Sequence, residues 1–179
     1  MMKPNKAVIQ FGGLGFGTHH FEFEITDKFF ESLEYSEIHK ANVLINVDFV
    51  KQNNVMTLNF RLSGTVGITC DRCVGEYDLP IENTDSMYIK NGDVSESNDS
   101  IIVLPHGETS VDLIEHFYQL IAVALPIRRV PCEIDAELYK CDEEVLKKLK
   151  DLSVEEEPGE KNQDTNVWEE LKKIKFNNN

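Results

Sequence analysis

Residues 56–73 have the sequence MTLNFRLSGTVGITCDRC, which alternates between apolar and polar side chains and ends in two cysteines. Apolar residues occupy almost every even position from Met56 to Cys70, and polar residues occupy most of the odd positions. This period of two predicts a β-strand that is buried on one face, with Gly64 and Gly67 as bends or bulges. We therefore expect a sheet at the centre of the fold, with the cysteine pair in the turn after its longest strand.

Neighbouring segments predict further strands around this one. Extended or alternating patterns occur at residues 7–11, 20–25, 41–50, 74–90 and 101–104. Strands that are linked by short turns pair by default with their neighbours in the chain. The prediction is an α+β fold, in which an antiparallel meander forms a partly closed, barrel-like sheet. One long helix covers this sheet, and short helices follow near the C-terminus.

The long helix is predicted after the last strand. Its apolar residues follow a helical period from Leu113 until Pro126, which cannot continue a helix. Thr109 and Asp112 form an approximate capping box before it. His116 lies in the middle of this helix, and we interpret it as an ordinary surface histidine.

Composition divides the chain into one domain and a tail. Residues 1–152 are predicted to form a single α+β domain that contains the cysteine turn. Residues 153–165 have too little apolar content to pack, which predicts an acidic flexible linker. Residues 166–179 predict a short amphipathic helix around Trp168, which is suited to docking on this protein or on a partner.

Charge and hydropathy exclude several classes of protein. The 179 residues carry a formal net charge of −14, and much of the acidic excess lies between residues 142 and 160. A chain that coats nucleic acid through its overall field needs clustered Lys and Arg instead. No apolar run approaches the length of a membrane span, and the run at 7–11 is too short for a signal peptide. We therefore expect a cytoplasmic protein whose cysteines stay reduced or bind metal.

The four cysteines fall into two pairs. Two residues separate Cys70 from Cys73, and eight residues separate Cys132 from Cys141. The first spacing fits half of a structural zinc site well, whereas the second is wider than usual. A four-thiolate zinc site is therefore one prediction. Its alternatives are reduced, partly buried cysteines without metal and a local disulfide in the first pair. A thioredoxin-like redox site is disfavoured, because the first pair follows a strand and does not begin a helix.

Three of the four arginines flank the cysteine segments. Arg72 lies between the first two cysteines, and Arg128 and Arg129 precede the third. If the cysteine segments meet in space, these arginines form a local cationic patch for RNA phosphates or for an acidic surface. The alternative is that they pair with the many carboxylates nearby.

The sequence contains none of the common catalytic motifs. It has no Ser/His/Asp motif, no G-x-S-x-G elbow and no H-E-x-x-H motif, and the glycines of residues 12–17 lack the spacing of a phosphate loop. His19 and His20 are residue types that bind metal, but adjacent histidines at the start of a strand are more often exposed to solvent. We expect a protein that is not an enzyme and has no small-molecule substrate.

Four segments of the chain are informative together, namely Cys70-Asp71-Arg72-Cys73-Val74, Asp78-Leu79-Pro80-Ile81, Ala124-Leu125-Pro126-Ile127-Arg128-Arg129 and Trp168-x-x-Leu171-Lys172-Lys173. With these segments the chain resembles the YceD family, whose members are called large ribosomal RNA subunit accumulation proteins. Their order and spacing extend the resemblance over about residues 20 to 175. The stretches FEFE at 21–24 and DKFFE at 27–31 look like those of members from Bacteroidetes-type bacteria.

The resemblance implies a non-enzymatic role in synthesis, processing or stability of 23S rRNA, and hence in assembly of the large ribosomal subunit. The implied partner is 23S rRNA or its precursor, bound directly or through a large-subunit ribosomal protein. The residues expected to contact RNA or a partner are Arg72, Arg128, Arg129, Trp168, Lys172 and Lys173. Two other hypotheses stay open at this point. One is an acidic module that chaperones a basic ribosomal protein, and the other is a thiol oxidoreductase.

Overall fold

The structure is a computed structural model that describes residues 7–53, 55–92, 94, 98, 100–135 and 137–153. The chain divides into two compact units, Met1–Asp142 and Glu143–Asn179. The predicted linker, apart from Ser153, and the predicted helix at 166–179 lie outside the described residues. Both stay predictions.

The described part of the chain contains seven strands and four helices. In chain order they are β1 (Val8–Gln10), β2 (Gly17–Thr26), α1 (Asp27–Glu31), β3 (Ala41–Lys51), β4 (Met56–Thr69), β5 (Glu76–Asn91), β6 (Ile101–Leu104), β7 (Ser110–Asp112), α2 (Ile114–Ala124), α3 (Pro131–Ile134) and α4 (Glu143–Leu152). Helix α4 belongs to the second unit, with acidic residues in its first turn and Lys150 in its last, as the helix dipole favours. None of these helices has the length and apolar composition needed to cross a membrane.

Five strands form one sheet in the order β2-β3-β4-β5-β6. The first four pair antiparallel with their sequence neighbours, as the predicted meander requires. Strand β6 is parallel to β5, with Ile101 opposite Tyr88 and Leu104 opposite Asn91. Among the described strands, β2 and β6 each have one neighbour in this sheet and form its two edges. In the part of the chain that the structure describes, the sheet does not close into a barrel, so the barrel-like part of the prediction is wrong.

The core lies on one face of this sheet. Along β4 the even-numbered apolar residues are buried, while the opposite face carries polar residues such as Asn59 and Arg61. Phe117 of α2 packs on this apolar face, with its ring centroid 5.0 Å from that of Phe23 and 6.2 Å from that of Phe60. The side-chain amide of Asn83 donates a hydrogen bond to the Leu120 carbonyl at 3.2 Å, which also joins β5 to α2.

The two glycines of β4 allow close backbone approaches. A Cβ at Gly64 would lie 2.6 Å from the Val43 Cα on β3, so the register between β3 and β4 needs glycine there. Gly67 donates its N–H to the Lys40 carbonyl at 2.8 Å, and a Cβ there would lie 2.8 Å from the Lys40 Cβ. The segment before β3 is therefore held against the end of β4, close to the cysteine turn.

The start of the long helix differs from the prediction. Residues Ser110–Asp112 form β7, which pairs with β1 in a separate two-stranded sheet. The Thr109 carbonyl extends this pairing by accepting the N–H groups of Phe11 and Gly12. Thr109 is thus part of extended structure, and the predicted capping box is wrong. The Asp112 carboxylate instead accepts the N–H of Ile114 at 2.9 Å.

His116 is buried, so its interpretation as a surface residue is wrong. It is 8% exposed, and its ring centroid lies 4.5 Å from that of Phe60. Its position one residue before Phe117 places it on the edge of the apolar face of α2, which the sheet covers. Burial lowers the pKa of His116, and the Asp85 carboxylate, 3.3 Å from its Nε2, partly opposes this.

Candidate metal centre and cationic patch

The turn between β4 and β5 directs backbone N–H groups at two sulfur atoms. The Arg72 N–H donates to the Cys70 Sγ at 3.4 Å, and the Gly75 backbone hydrogen-bonds the sulfur of Cys73. Val74, which lies between Cys73 and Gly75, has a φ of 60°. This is a left-handed conformation that a β-branched residue rarely adopts. Such conformations persist where surrounding contacts hold them, and they cluster at functional sites.

The segment after α2 is docked on this turn by reciprocal hydrogen bonds. Asp71 donates its N–H to the Arg129 carbonyl at 2.8 Å, and the Asp71 carboxylate accepts the Arg129 N–H at 2.7 Å. Tyr77 donates to the Lys140 carbonyl at 2.9 Å, and Tyr139 donates to the Asp78 carbonyl at 3.0 Å. The two cysteine segments therefore meet in space, as the hypothesis of a shared site requires.

This docking brings three of the four thiols into one cluster. The sulfur atoms of Cys70, Cys73 and Cys141 all lie within 4.8 Å of one another, and the Cys132 thiol is a neighbour of Cys141. All four are free thiols; Cys70 and Cys73 are buried, and the other two are partly buried. Sulfurs that surround zinc tetrahedrally at about 2.3 Å lie about 3.8 Å from one another. The three-cysteine cluster can therefore hold a metal ion after a contraction of about 1 Å or less.

The surroundings of Cys73 favour its thiolate. Its hydrogen bond with the Tyr77 hydroxyl, at 3.3 Å, and those with the backbones of Asp142 and Gly75 lower the pKa of Cys73 to about 6. The same hydrogen bond, together with burial, raises the pKa of Tyr77. The Tyr77 hydroxyl has one proton, so it donates either to Lys140 or to the Cys73 thiolate at a given moment.

The fourth thiol has the opposite tendency. Its hydrogen bond with Cys132, burial and the neighbouring Cys73 raise the pKa of Cys141 to about 12. Neighbouring thiolates repel each other, so without a cation the cluster favours one thiolate beside a protonated thiol. A divalent metal ion attracts the thiolates and deprotonates the thiols that it binds. This donor set, made of sulfur alone, suits a soft or borderline ion such as zinc.

The three arginines beside the cluster differ in their partners. The Glu133 carboxylate accepts two contacts from Arg128, at 2.9 and 3.0 Å, and lies 3.9 Å from Arg72. Arg129 is half-buried, and its guanidinium has no ion pair among the residues that the structure describes. Two of the three arginines thus share one carboxylate, and the third is available to another anion.

The structure describes only some of the other predicted site residues. Trp168, Lys172 and Lys173 lie outside the described residues, so their role in contacting RNA or a partner stays a prediction. His19 and His20 do not join a metal cluster within the described chain. The Nε2 of His19 contacts the Gly15 carbonyl at 3.0 Å, and the Nδ1 of His20 lies 2.6 Å from Asp48.

Sequence reasoning missed the residues that join the two cysteine segments. The contacts described above are made by Tyr77, Tyr139, Asp71 and Glu133. The rings of the two tyrosines also pack on each other, with centroids 5.8 Å apart. The sequence did place each tyrosine close to a cysteine, because Tyr77 follows Cys73 by four residues and Tyr139 precedes Cys141 by two. Their role as partners across the cluster has no signature in the local sequence.

Comparison with known proteins bears on the whole of this region. A family model described as large ribosomal RNA subunit accumulation protein YceD matches residues 58–175. No curated protein and no solved structure matches the chain. The matched range covers more than half of the 179 residues and includes the four cysteines and the three arginines beside them. The resemblance noted in the sequence is thereby confirmed, and the chain belongs to the YceD family.

Proposed function

We propose that this protein is a non-enzymatic accessory factor that acts in the synthesis, processing or stability of 23S rRNA during assembly of the large ribosomal subunit. The observation that carries the proposal is the family match over residues 58–175, whose description names accumulation of the large-subunit RNA. The partly unpaired arginine patch beside the cysteines supports contact with 23S rRNA, its precursor or a ribosomal protein bound to it.

Depletion of the protein in its own host tests this role. We expect a lower ratio of 23S to 16S rRNA and a smaller large-subunit peak in a sedimentation gradient, both restored by the wild-type chain. Arg128→Glu with Arg129→Glu should restore them poorly. Arg61→Glu is the matched control, because Arg61 lies on the opposite face of the sheet and pairs with Asp48. Unchanged 23S rRNA after depletion would contradict the proposal.

The acidic composition favours a second candidate function. A formal charge of −14 suits an interaction module that shields a basic ribosomal protein before it joins the particle. Sedimentation with and without RNase separates the two candidates. Association with large-subunit precursors that RNase abolishes supports the RNA role, whereas a complex with a ribosomal protein that survives RNase supports the chaperone role.

We further propose that Cys70, Cys73, Cys132 and Cys141 bind one zinc ion with a structural role. Support comes from the sulfur separations within 4.8 Å for three of the cysteines and from the Cys132 thiol, which neighbours Cys141. The backbone N–H groups aimed at the first two sulfurs also favour bound thiolates. The ion would join the docked segment to the turn after β4.

Metal analysis of protein purified without chelator tests the zinc site. We expect one zinc per chain and protection of the four thiols from alkylation until a chelator is added. Protein that contains no stoichiometric metal and four freely reactive thiols would contradict the site. Recovery of a stable Cys70–Cys73 disulfide with exchange activity would instead favour a thiol oxidoreductase.

A further inference from the structure

A cavity of about 390 Å³ opens beside the cysteine cluster. Its walls come from residues 37–40, the end of β4, the start of β5 and the segment after α2. Tyr77 and Arg129 belong both to this wall and to the contacts that hold the cluster together. The volume lies within the range of pockets that enclose a small organic group.

One part of the wall suits a flat apolar ring. Ile38 and Ile68 are buried beneath the cavity, Leu125 is partly buried, and the Tyr77 ring adds an aromatic surface. Nucleic-acid bases bind single-strand sites by packing their faces on aromatic and apolar side chains. Unpaired bases can reach such a cavity, whereas bases inside a helix cannot.

Charged groups line the remaining wall. The Lys40 ammonium and the Asp78 carboxylate pair at 2.8 Å, so their charges largely cancel. The half-buried Arg129 guanidinium, which lacks an ion pair in the described chain, is available to a phosphate. Glu37 and Glu76 add carboxylates that can accept hydrogen bonds from the amino groups of bases.

We propose that this cavity binds one unstacked nucleotide of single-stranded RNA, with its phosphate on Arg129 and its base against Ile38, Ile68 and Tyr77. Arg128 and Arg72, which are exposed at the side of the cluster, contact the neighbouring phosphates. Adenine and cytosine bind better than uracil, because their amino groups donate to Glu37 or Glu76 and uracil has none. The proposal rests on the proposed role in 23S rRNA and names the form of RNA that the protein reads.

Fluorescence anisotropy with labelled single-stranded RNA of about eight nucleotides tests the site on the full chain purified without chelator. Arg129→Ala should weaken binding about tenfold, the range expected for loss of one arginine contact. This change keeps the N–H and carbonyl of residue 129, which hold Asp71. Thr69→Trp should also weaken binding by about tenfold, because Thr69 is exposed on the cavity wall and a large side chain there fills the space.

Arg61→Ala is the matched control and should leave the affinity unchanged, since Arg61 does not line the cavity and pairs with Asp48 instead. Oligo(A) and oligo(C) should bind more tightly than oligo(U), and an RNA duplex should compete poorly. Melting curves confirm that each variant is folded. If Thr69→Trp does not fold, Arg129→Ala and the comparison of bases still decide the outcome.

Three results would overturn the nucleotide site. They are unchanged affinity in Arg129→Ala, equal binding of duplex and single strand, and displacement of RNA by an acidic peptide or by free AMP at equal concentrations. The depletion experiment keeps this site separate from the proposed function. If Arg129→Ala restores 23S rRNA fully, the site is wrong and the function stands. If depletion leaves 23S rRNA unchanged, the proposed function is wrong whatever the oligonucleotides do.

Discussion

The sheet core and the cysteine lobe, which comprises the turn at residues 70–75 and the docked segment at 127–141, are held together by different forces. In the core, Ile45, Leu58 and Phe60 are at most 1% exposed. In the lobe, the apolar side chains Val74, Ile127, Ile134 and Leu138 are exposed, and helix α3 has only four residues. Within the lobe, Asp71 and Arg129 exchange two hydrogen bonds. Two further bonds, from Tyr77 to Lys140 and from Tyr139 to Asp78, connect the lobe to β5.

This difference indicates which region the proposed zinc ion would stabilise more. Burial of apolar surface stabilises the core without help, because it removes side chains of β2–β5 and α2 from water. The lobe buries few apolar groups, and each of its hydrogen bonds contributes only about 1 kcal/mol net. A metal that joins four thiols would therefore stabilise the lobe far more than the sheet.

The largest effect should come from the core. Phe60→Ala removes a ring that packs on Phe117 and His116 and should lower the free energy of unfolding by about 3–5 kcal/mol. Chemical denaturation measures this loss, which should be the same with and without a chelator. Arg61→Ala, one residue away on the exposed face, should cost less than about 1 kcal/mol. A loss for Phe60→Ala that depended on the chelator would contradict the separation of the two regions.

Removing the proposed zinc ion, or replacing Cys73 with Ser, should have the next largest effect. Amide hydrogen exchange at residues 127–141 should accelerate at least about tenfold, because the thiols no longer hold this segment. Exchange in β3 and β4 should change little. Re-addition of zinc should restore protection in the wild type and fail to do so in Cys73→Ser. Equal acceleration throughout the sheet would show that the two regions are not independent.

The reciprocal contact between Asp71 and Arg129 should contribute less. Asp71→Ala removes the acceptor of the Arg129 N–H, and it should cost about 1 kcal/mol of local stability. The effect should appear as faster exchange at residues 127–130 and faster alkylation of Cys132. Asp71→Asn keeps a side-chain oxygen as acceptor and is the matched control. A fall in global stability with no local change would contradict this assignment.

The smallest effect should be a pH dependence that belongs to the core. Burial lowers the pKa of His116 in the folded state, so the unfolded chain binds a proton more readily. Stability should therefore fall as the pH drops through the ordinary histidine pKa, and level off below the lowered pKa of the folded state. Urea unfolding at a series of pH values should show this slope. His116→Gln should reduce the slope, and an unchanged slope would show that His116 does not cause it.

Local patterns predicted the strands correctly where burial is one-sided. The alternation from Met56 to Cys70 is a property of consecutive residues, and strands β2 to β5 pair with their neighbours in the chain. The same reasoning failed at Thr109, whose capping pattern is local but whose partners, Phe11 and Gly12, lie almost a hundred residues earlier. It failed at His116 because exposure depends on what covers a helix face.

By itself, the sequence determined the strand pattern, the cysteine turn and the family, since each depends on residue types at short, readable spacings. The tertiary structure alone decided the parallel placement of β6, the open sheet, the meeting of the two cysteine segments and the cavity beside them. The contact between Asp71 and Arg129 spans 58 positions. Contacts over such distances arise when the whole chain packs its apolar surface, and no local pattern encodes the partner.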